Sequence, residues 1–162
     1  MEKEVKIEMR KGIIVIGMIS SGKSTFLNSL LGITYLEAKD DITTKFVCVI
    51  RYNPNLKEPI FYHLKIIREE EEYTFIKEGK EFIGVEEIVS KISQINCDEA
   101  SKEPKYDNLF YMLETNISNI ENKDFLQTHD FYDIPGLNEY IKGEDNLNKS
   151  FNLLFIFNDY IL

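Results

Sequence analysis

The sequence predicts an α/β fold with a mostly parallel sheet and flanking helices, and three observations predict it. Gly12–Gly17 encloses Ile13, Ile14, Val15 and Ile16, a continuous β-branched run that reads as a strand buried on both faces. A glycine-bearing loop follows, and Ser24–Leu31 then sets Phe26, Leu27, Leu30 and Leu31 at helical spacing, with Gly32 as its C-cap. Further along, strand-like runs alternate with helical ones, the pattern of a sheet covered by helices.

The elements follow in order. Lys45–Tyr52 reads as a second strand, ended by Asn53-Pro54-Asn55. Ile60–Arg68 and Tyr73–Lys77 form a hairpin whose acidic turn, Glu69–Glu72, is a solvated connection. Val85, Ile88, Val89, Ile92 and Ile95 recur with helical period, so Gly84–Asn96 is an amphipathic helix. Glu99–Tyr106 is a loop containing Pro104. Leu109–Leu113, Phe125–Tyr132 and Leu153–Phe157 are three further strands, the last preceded by the polar stretch Asn138–Lys149. Residues 1–11 form a charged lead-in, 12–162 one domain, and 53–108 a hairpin-and-helix insertion within it.

Composition narrows the function classes. The chain has 162 residues, enough for one core, with 43% hydrophobic and 29% charged residues. Its net charge of −9 argues against nucleic acid or an anionic membrane surface as partner. No apolar run reaches the roughly 18 residues that span a bilayer. The N-terminus carries Glu2, Lys3, Glu4 and Lys6 and no signal-type apolar stretch, which points to the cytoplasm. Cys48 and Cys97 have no metal-type spacing and read as reduced thiols, small buried hydrophobes of a cytosolic protein.

Gly17-Met18-Ile19-Ser20-Ser21-Gly22-Lys23-Ser24 fits G-x-x-x-x-G-K-[ST], a phosphate-binding P-loop. Backbone N–H groups must wrap a phosphate there, so glycines stand where a Cβ would clash or φ must be unusual. The helix that follows points its N-terminal dipole at the anion. Lys23 reaches the β- and γ-phosphate oxygens and the Ser24 hydroxyl coordinates Mg²⁺, with Gly17, Ser20, Ser21, Gly22 and Thr25 completing the nucleotide contact. The preceding buried strand and following helix are the context that this motif requires.

Hydrolysis needs a second group near Mg²⁺ and a backbone donor to the γ-phosphate. Asp133-Ile134-Pro135-Gly136, about 110 residues beyond Lys23, supplies both at the end of a strand. Asp133 would hold Mg²⁺ through a water, and the Gly136 N–H would sense the γ-phosphate. In Thr43-Thr44, between the first helix and second strand, Thr44 is favoured to complete the Mg²⁺ coordination. His63 and His129 read as ordinary strand residues, since phosphoryl transfer of this type needs no histidine base.

With these residues in view, the chain resembles the dynamin superfamily of large GTPases. Ser20-Ser21-Gly22-Lys23-Ser24-Thr25-Phe26-Leu27-Asn28-Ser29-Leu30-Leu31-Gly32 is similar to that family's P-loop and first helix, and Asp133–Gly136 to its D-[LT]-P-G. Thr44, with Val47, Ile50 and Tyr52 after it, resembles the first switch and its strand. The family also inserts a hairpin and a helix before the D-x-P-G strand, and here about 80 residues separate Tyr52 from Asp133. The resemblance covers about Gly12–Leu162. It implies a P-loop G-domain fold that binds and hydrolyses GTP with Mg²⁺, Lys23, Ser20, Thr44 and Gly136 taking catalytic roles and Ser24, Thr44 and Asp133 the metal. It implies that Ser20 helps hold a charge-compensating cation near the phosphates. Ile19 departs from dynamin's water-positioning glutamine, and Leu137 from the glutamine of Ras-like enzymes.

The [NT]-K-x-D motif that selects guanine has no match: Asn122-Lys123-Asp124-Phe125, Asn148-Lys149-Ser150-Phe151 and Thr44-Lys45-Phe46-Val47 all fail at the last position. The sequence therefore predicts a domain truncated before that motif, with Leu153–Phe157 left as an apolar edge. Such a chain either continues in a longer polypeptide or pairs with a second copy, and reaches membranes only through other parts. Two alternative functions stand beside the GTPase: a catalytically silent nucleotide-binding or interaction module, and a P-loop ATPase.

Overall fold

The computed structural model describes residues 4–18, 21–36, 46–70, 72–100 and 110–135. Their order is β1 (Val5–Ile7), β2 (Lys11–Val15), α1 (Lys23–Leu31), β3 (Val47–Tyr52), β4 (Ile60–Glu69), β5 (Glu72–Ile83), α2 (Val85–Ala100), β6 (Phe110–Thr115), α3 (Lys123–Thr128) and β7 (His129–Asp133). The strands form one sheet in the order β1-β5-β4-β6-β3-β7-β2.

The α/β P-loop architecture holds, but the described sheet is mixed rather than mostly parallel. Only β2–β7 and β3–β6 run parallel. The pairs β1–β5, β3–β7, β4–β5 and β4–β6 are antiparallel. For the β4–β5 pair the reason is local: a tight turn at Glu70, with φ of 56°, joins the two strands, and so short a link permits only antiparallel pairing.

Strand periodicity divides the core between the two faces of the sheet. On β3, Cys48, Ile50 and Tyr52 face a cluster with Leu27 and Leu31 of α1, Ile88, Ile92 and Ile95 of α2, and Leu126 of α3. Val47 and Val49 of the same strand face a second cluster with Tyr62, Leu64, Phe75, Met112 and Tyr132. β3 is thus buried on both faces, as its unbroken apolar run requires.

Two further elements differ from the sequence reading. The expected strand Phe125–Tyr132 is a short helix followed by a short strand. Asn122 caps that helix, its side-chain oxygen accepting from the Phe125 N–H at 3.0 Å, and Leu126 turns into the core. Within the charged lead-in, Val5–Ile7 adds an edge strand to β5, in register with Phe75–Lys77. β5 itself runs on to Ile83, well past Lys77. Cys48 is buried as expected, whereas Cys97 is exposed near the end of α2. The loop expected at Glu99–Tyr106 falls mostly outside the described residues, and the strand expected at Leu153–Phe157, with the edge it would present, lies wholly outside them.

One buried ion pair fastens the sheet at the start of β7. Asp130 is 0% exposed and accepts from Arg51 Nε at 3.0 and 3.2 Å and from Nη2 at 2.6 Å. Burial disfavours the Arg51 charge, but the Asp130 hydrogen bonds and charge override it and hold the guanidinium above its ordinary value. Breaking one side of such a pair strands the other charge. Asp130→Ala is therefore expected to cost about 3–5 kcal/mol of stability, read as a fall in the urea unfolding midpoint.

Candidate nucleotide-binding site

The phosphate loop lies where the strand ends meet. β2 and β7 are parallel neighbours, with Val15 opposite Asp133 in register. The loop leaving β2 and the turn leaving β7 therefore emerge side by side at one end of the sheet, the position at which parallel α/β sheets bind ligands.

Glycine is required at two loop positions. Gly22 has φ of 81°, a left-handed conformation that side chains with a Cβ adopt only with strain. A Cβ on Gly17 would sit 2.6 Å from Ser21 Oγ. The loop is held by its own backbone, the Ser21 N–H donating to the Met18 carbonyl at 3.2 Å. Helix α1 starts at Lys23 with Gly22 as N-cap, no side-chain cap and no acidic residue in its first turn. Its first turn thus carries neither a side-chain cap nor a carboxylate, which suits an anion.

Lys23 closes the loop. Its Nζ donates to the Met18 carbonyl at 3.0 Å and to the Gly17 carbonyl at 3.3 Å. The two carbonyls hold the cation at the loop. The sequence did not single out the Met18 carbonyl, because a backbone acceptor leaves no mark on residue identity.

Next along α1, Ser24 reaches across to β7. Its Oγ donates to Asp133 Oδ2 at 2.9 Å. Asp133 is 1% exposed, and its Oδ1 has no hydrogen-bond partner among the described residues. Burial raises the Asp133 carboxyl to about 6, against the lowering effects of the Ser24 hydrogen bond and the Lys23 charge. Cys48, beside Asp133 across the β3–β7 pair, is pushed up by burial first and by the Asp133 charge second. A carboxylate kept in such a place, with one oxygen unsatisfied, suits a cation better than it suits the protein alone.

Ser24 and Asp133 are hard oxygen donors, the kind Mg²⁺ takes. Among the described residues no group of three or more His, Cys, Asp or Glu could hold a metal.

The structure brings together Gly17, Ser21, Gly22, Lys23, Ser24, Thr25 and Asp133 at one end of the sheet. Ser20, Thr44 and Gly136, with Thr43, Ile19 and Leu137, lie outside the described residues. Asn28 carries a signal in the helix run that residue-level reasoning did not use. Its side chain donates to the Leu36 carbonyl at 2.8 Å and accepts from the Leu36 N–H at 3.2 Å, so α1 grips the start of the segment that bears Thr43 and Thr44. His63 and His129 stand apart from this site. His63 sits on β4 with its Nδ1 3.0 Å from Glu78, and His129 stacks on Phe125 at the far end of β7. Asn122-Lys123-Asp124 is likewise structural: Asn122 caps α3 and Lys123 Nζ donates to the Ile117 carbonyl.

The family model described as the Dynamin family matches residues 13–160. A solved structure of an oligomerised bacterial dynamin pair, described as a mechanism for long-range sensing and tethering of membranes, is similar at 21% identity and a TM-score of 0.50. The similarity covers 90% of this chain and 19% of that one, so the chain spans about a fifth of its length. A second structure described in the same words is 20% identical with a TM-score of 0.48, over 88% of this chain and 18% of that one. No curated protein sequence matches the chain.

Proposed function

The chain belongs to the dynamin family, and from that premise we propose that its Gly17–Thr25 loop binds the phosphates of GTP together with Mg²⁺ and that the site hydrolyses the γ-phosphate. The observation that carries this reading is the Ser24–Asp133 hydrogen bond, which joins the loop to the second strand end at the mouth of an uncapped helix.

Each residue then has a physical task. Loop N–H groups and the α1 N-terminus bind the phosphate oxygens. Lys23 exchanges the Gly17 and Met18 carbonyls for β- and γ-phosphate oxygens, trading neutral acceptors for charged ones and so gaining stronger bonds. Ser24, Asp133 and Thr44 would hold the metal through their oxygens, and Gly136 would supply a backbone donor. Mg²⁺ held by these residues would supply charge neutralisation to the phosphates. Catalysis is positioning and electrostatics rather than covalent chemistry. Ser20 takes part in charge compensation near the same oxygens.

Ile19 and Leu137, standing where related enzymes keep glutamines, favour a second reading, a module that binds nucleotide and turns it over slowly or not at all. Phosphate release measured with and without Mg²⁺ separates the two: metal-dependent release supports the enzyme, and tight binding without release supports the silent module. Guanine preference rests on the family alone, as does assembly with further copies or on membranes. No described helix is long and apolar enough to cross a membrane.

A further inference from the structure

A cleft of about 410 Å³ opens at the other end of the sheet, lined by Lys6, Glu8, Met9, Arg10, Arg51 and Gln127. Arg10 immediately precedes β2, and Asp130 is the second residue of β7, whereas the phosphate loop follows β2 and Asp133 closes β7. The two carboxylates lie three positions apart on β7, roughly 10 Å along the strand.

Lys6, Arg10 and Arg51 meet here with Glu8 and Asp130, and the Glu114 charge acts on both arginines. Asp130 is already committed, both its oxygens accepting from Arg51. Arg10 Nη1 stands 3.8 Å from Asp130 Oδ1, beyond hydrogen-bond length. It donates instead to the Leu126 carbonyl at 3.1 Å and the Tyr52 carbonyl at 3.3 Å. Those two bonds fix the guanidinium and leave its Nε and Nη2 without an acceptor among the described residues. The Arg10 side chain is 26% exposed on the wall of the cleft. Burial first, and the Arg51 charge second, pull Arg10 below its ordinary value, and an anion would offset the second of these. An arginine anchored through one nitrogen, with a free edge in a concave cleft that Lys6 also lines, is a fork prepared for a tetrahedral or planar oxyanion.

We propose that this cleft is a second anion site, which takes the phosphate group of a ligand on the free edge of Arg10, with Lys6 and Arg51 supplying charge. It is independent of the nucleotide reading and is tested where the P-loop is disabled. The full chain carrying Lys23→Ala is titrated with sodium phosphate at constant ionic strength, and arginine Nε–H and backbone amide shifts are followed by NMR. Saturable shifts at Ile7–Arg10 and Arg51 are expected. Arg10→Gln should weaken them about tenfold, and Lys6→Gln, an exposed change on β1 that spares the core, should weaken them two- to threefold, roughly the loss of one charge-assisted contact. Shifts confined to Gly17–Thr25 of the wild type and absent with Lys23→Ala would overturn the proposal, as would a Lys6→Gln chain with an unchanged dissociation constant. Sedimentation with phosphatidylglycerol vesicles, against phosphatidylcholine, assigns the source. Binding lost in Lys6→Gln identifies a lipid headgroup, and phosphate shifts without sedimentation identify a soluble phosphate; either result supports the cleft.

Discussion

Lys23→Ala is expected to weaken nucleotide binding by a factor of about 100 to 1,000. The lysine makes two neutral contacts in the nucleotide-free loop, to the Gly17 and Met18 carbonyls. In the proposed complex it makes charge-assisted contacts to phosphate, each of about 1.5–3 kcal/mol. Loss of one or two of these accounts for the factor. The same change should leave thermal stability of the nucleotide-free chain within about 1 kcal/mol, since the carbonyls it frees sit in a loop open to water. Calorimetric titration with a non-hydrolysable GTP analogue, with a melting curve of each chain, reads both quantities. Binding that survives the substitution would mean that the loop is not the phosphate cradle.

Asp133→Asn should move stability and ligand affinity in opposite directions. The substitution keeps an oxygen that can accept from Ser24 and removes a charge from a place with 1% exposure. Burial raises the folded-state carboxyl from 3.8 to about 6, so between these values the folded state holds more proton than the unfolded state. The sign follows: the wild type gains most from this group below 3.8 and loses that contribution as pH rises through about 6. At neutral pH the buried charge costs up to about 2–3 kcal/mol. The nucleotide-free asparagine variant should therefore melt higher than the wild type at pH 7 and converge with it near pH 4. Its Mg²⁺-dependent affinity for nucleotide should fall about 10- to 100-fold, the usual cost of losing a carboxylate behind a metal ligand. Melting curves across this pH range, and titrations with and without Mg²⁺, check the two halves. A variant less stable than the wild type at pH 7 would show that Asp133 is a structural carboxylate rather than one kept for a cation.

The conformation of the Gly17–Ser24 loop was legible because it fixes residue types at fixed spacing: glycine at 17, where a Cβ would clash, glycine at 22, where φ is positive, and a helix opening at Lys23. Asp133 was legible because a strand end carries it beside the loop, but its direct hydrogen bond to Ser24, across 109 positions, is a product of the parallel β2–β7 register. Helix α2 and the β4–β5 hairpin declared themselves by period. Helix α3 did not, since Phe125 and Leu126 suit a strand as well as a helix turn and only the Asn122 cap decides between them. The direction of the strands was poorly legible for a like reason: pairing direction depends on connections and neighbours far along the chain. β1 has three residues, too few to show alternation, and exists because β5 offers it an edge. The Arg51–Asp130 pair, 79 positions apart, left no local trace.

GTP binding at the Gly17–Thr25 loop is tested by competition between GTP and ATP for the chain in Mg²⁺, read with a fluorescent GTP analogue. Saturable binding of the analogue, displacement by GTP at far lower concentration than by ATP, and loss of both signals in Lys23→Ala are expected. Absence of saturable binding in the folded chain, or equal displacement by the two nucleotides, would contradict it.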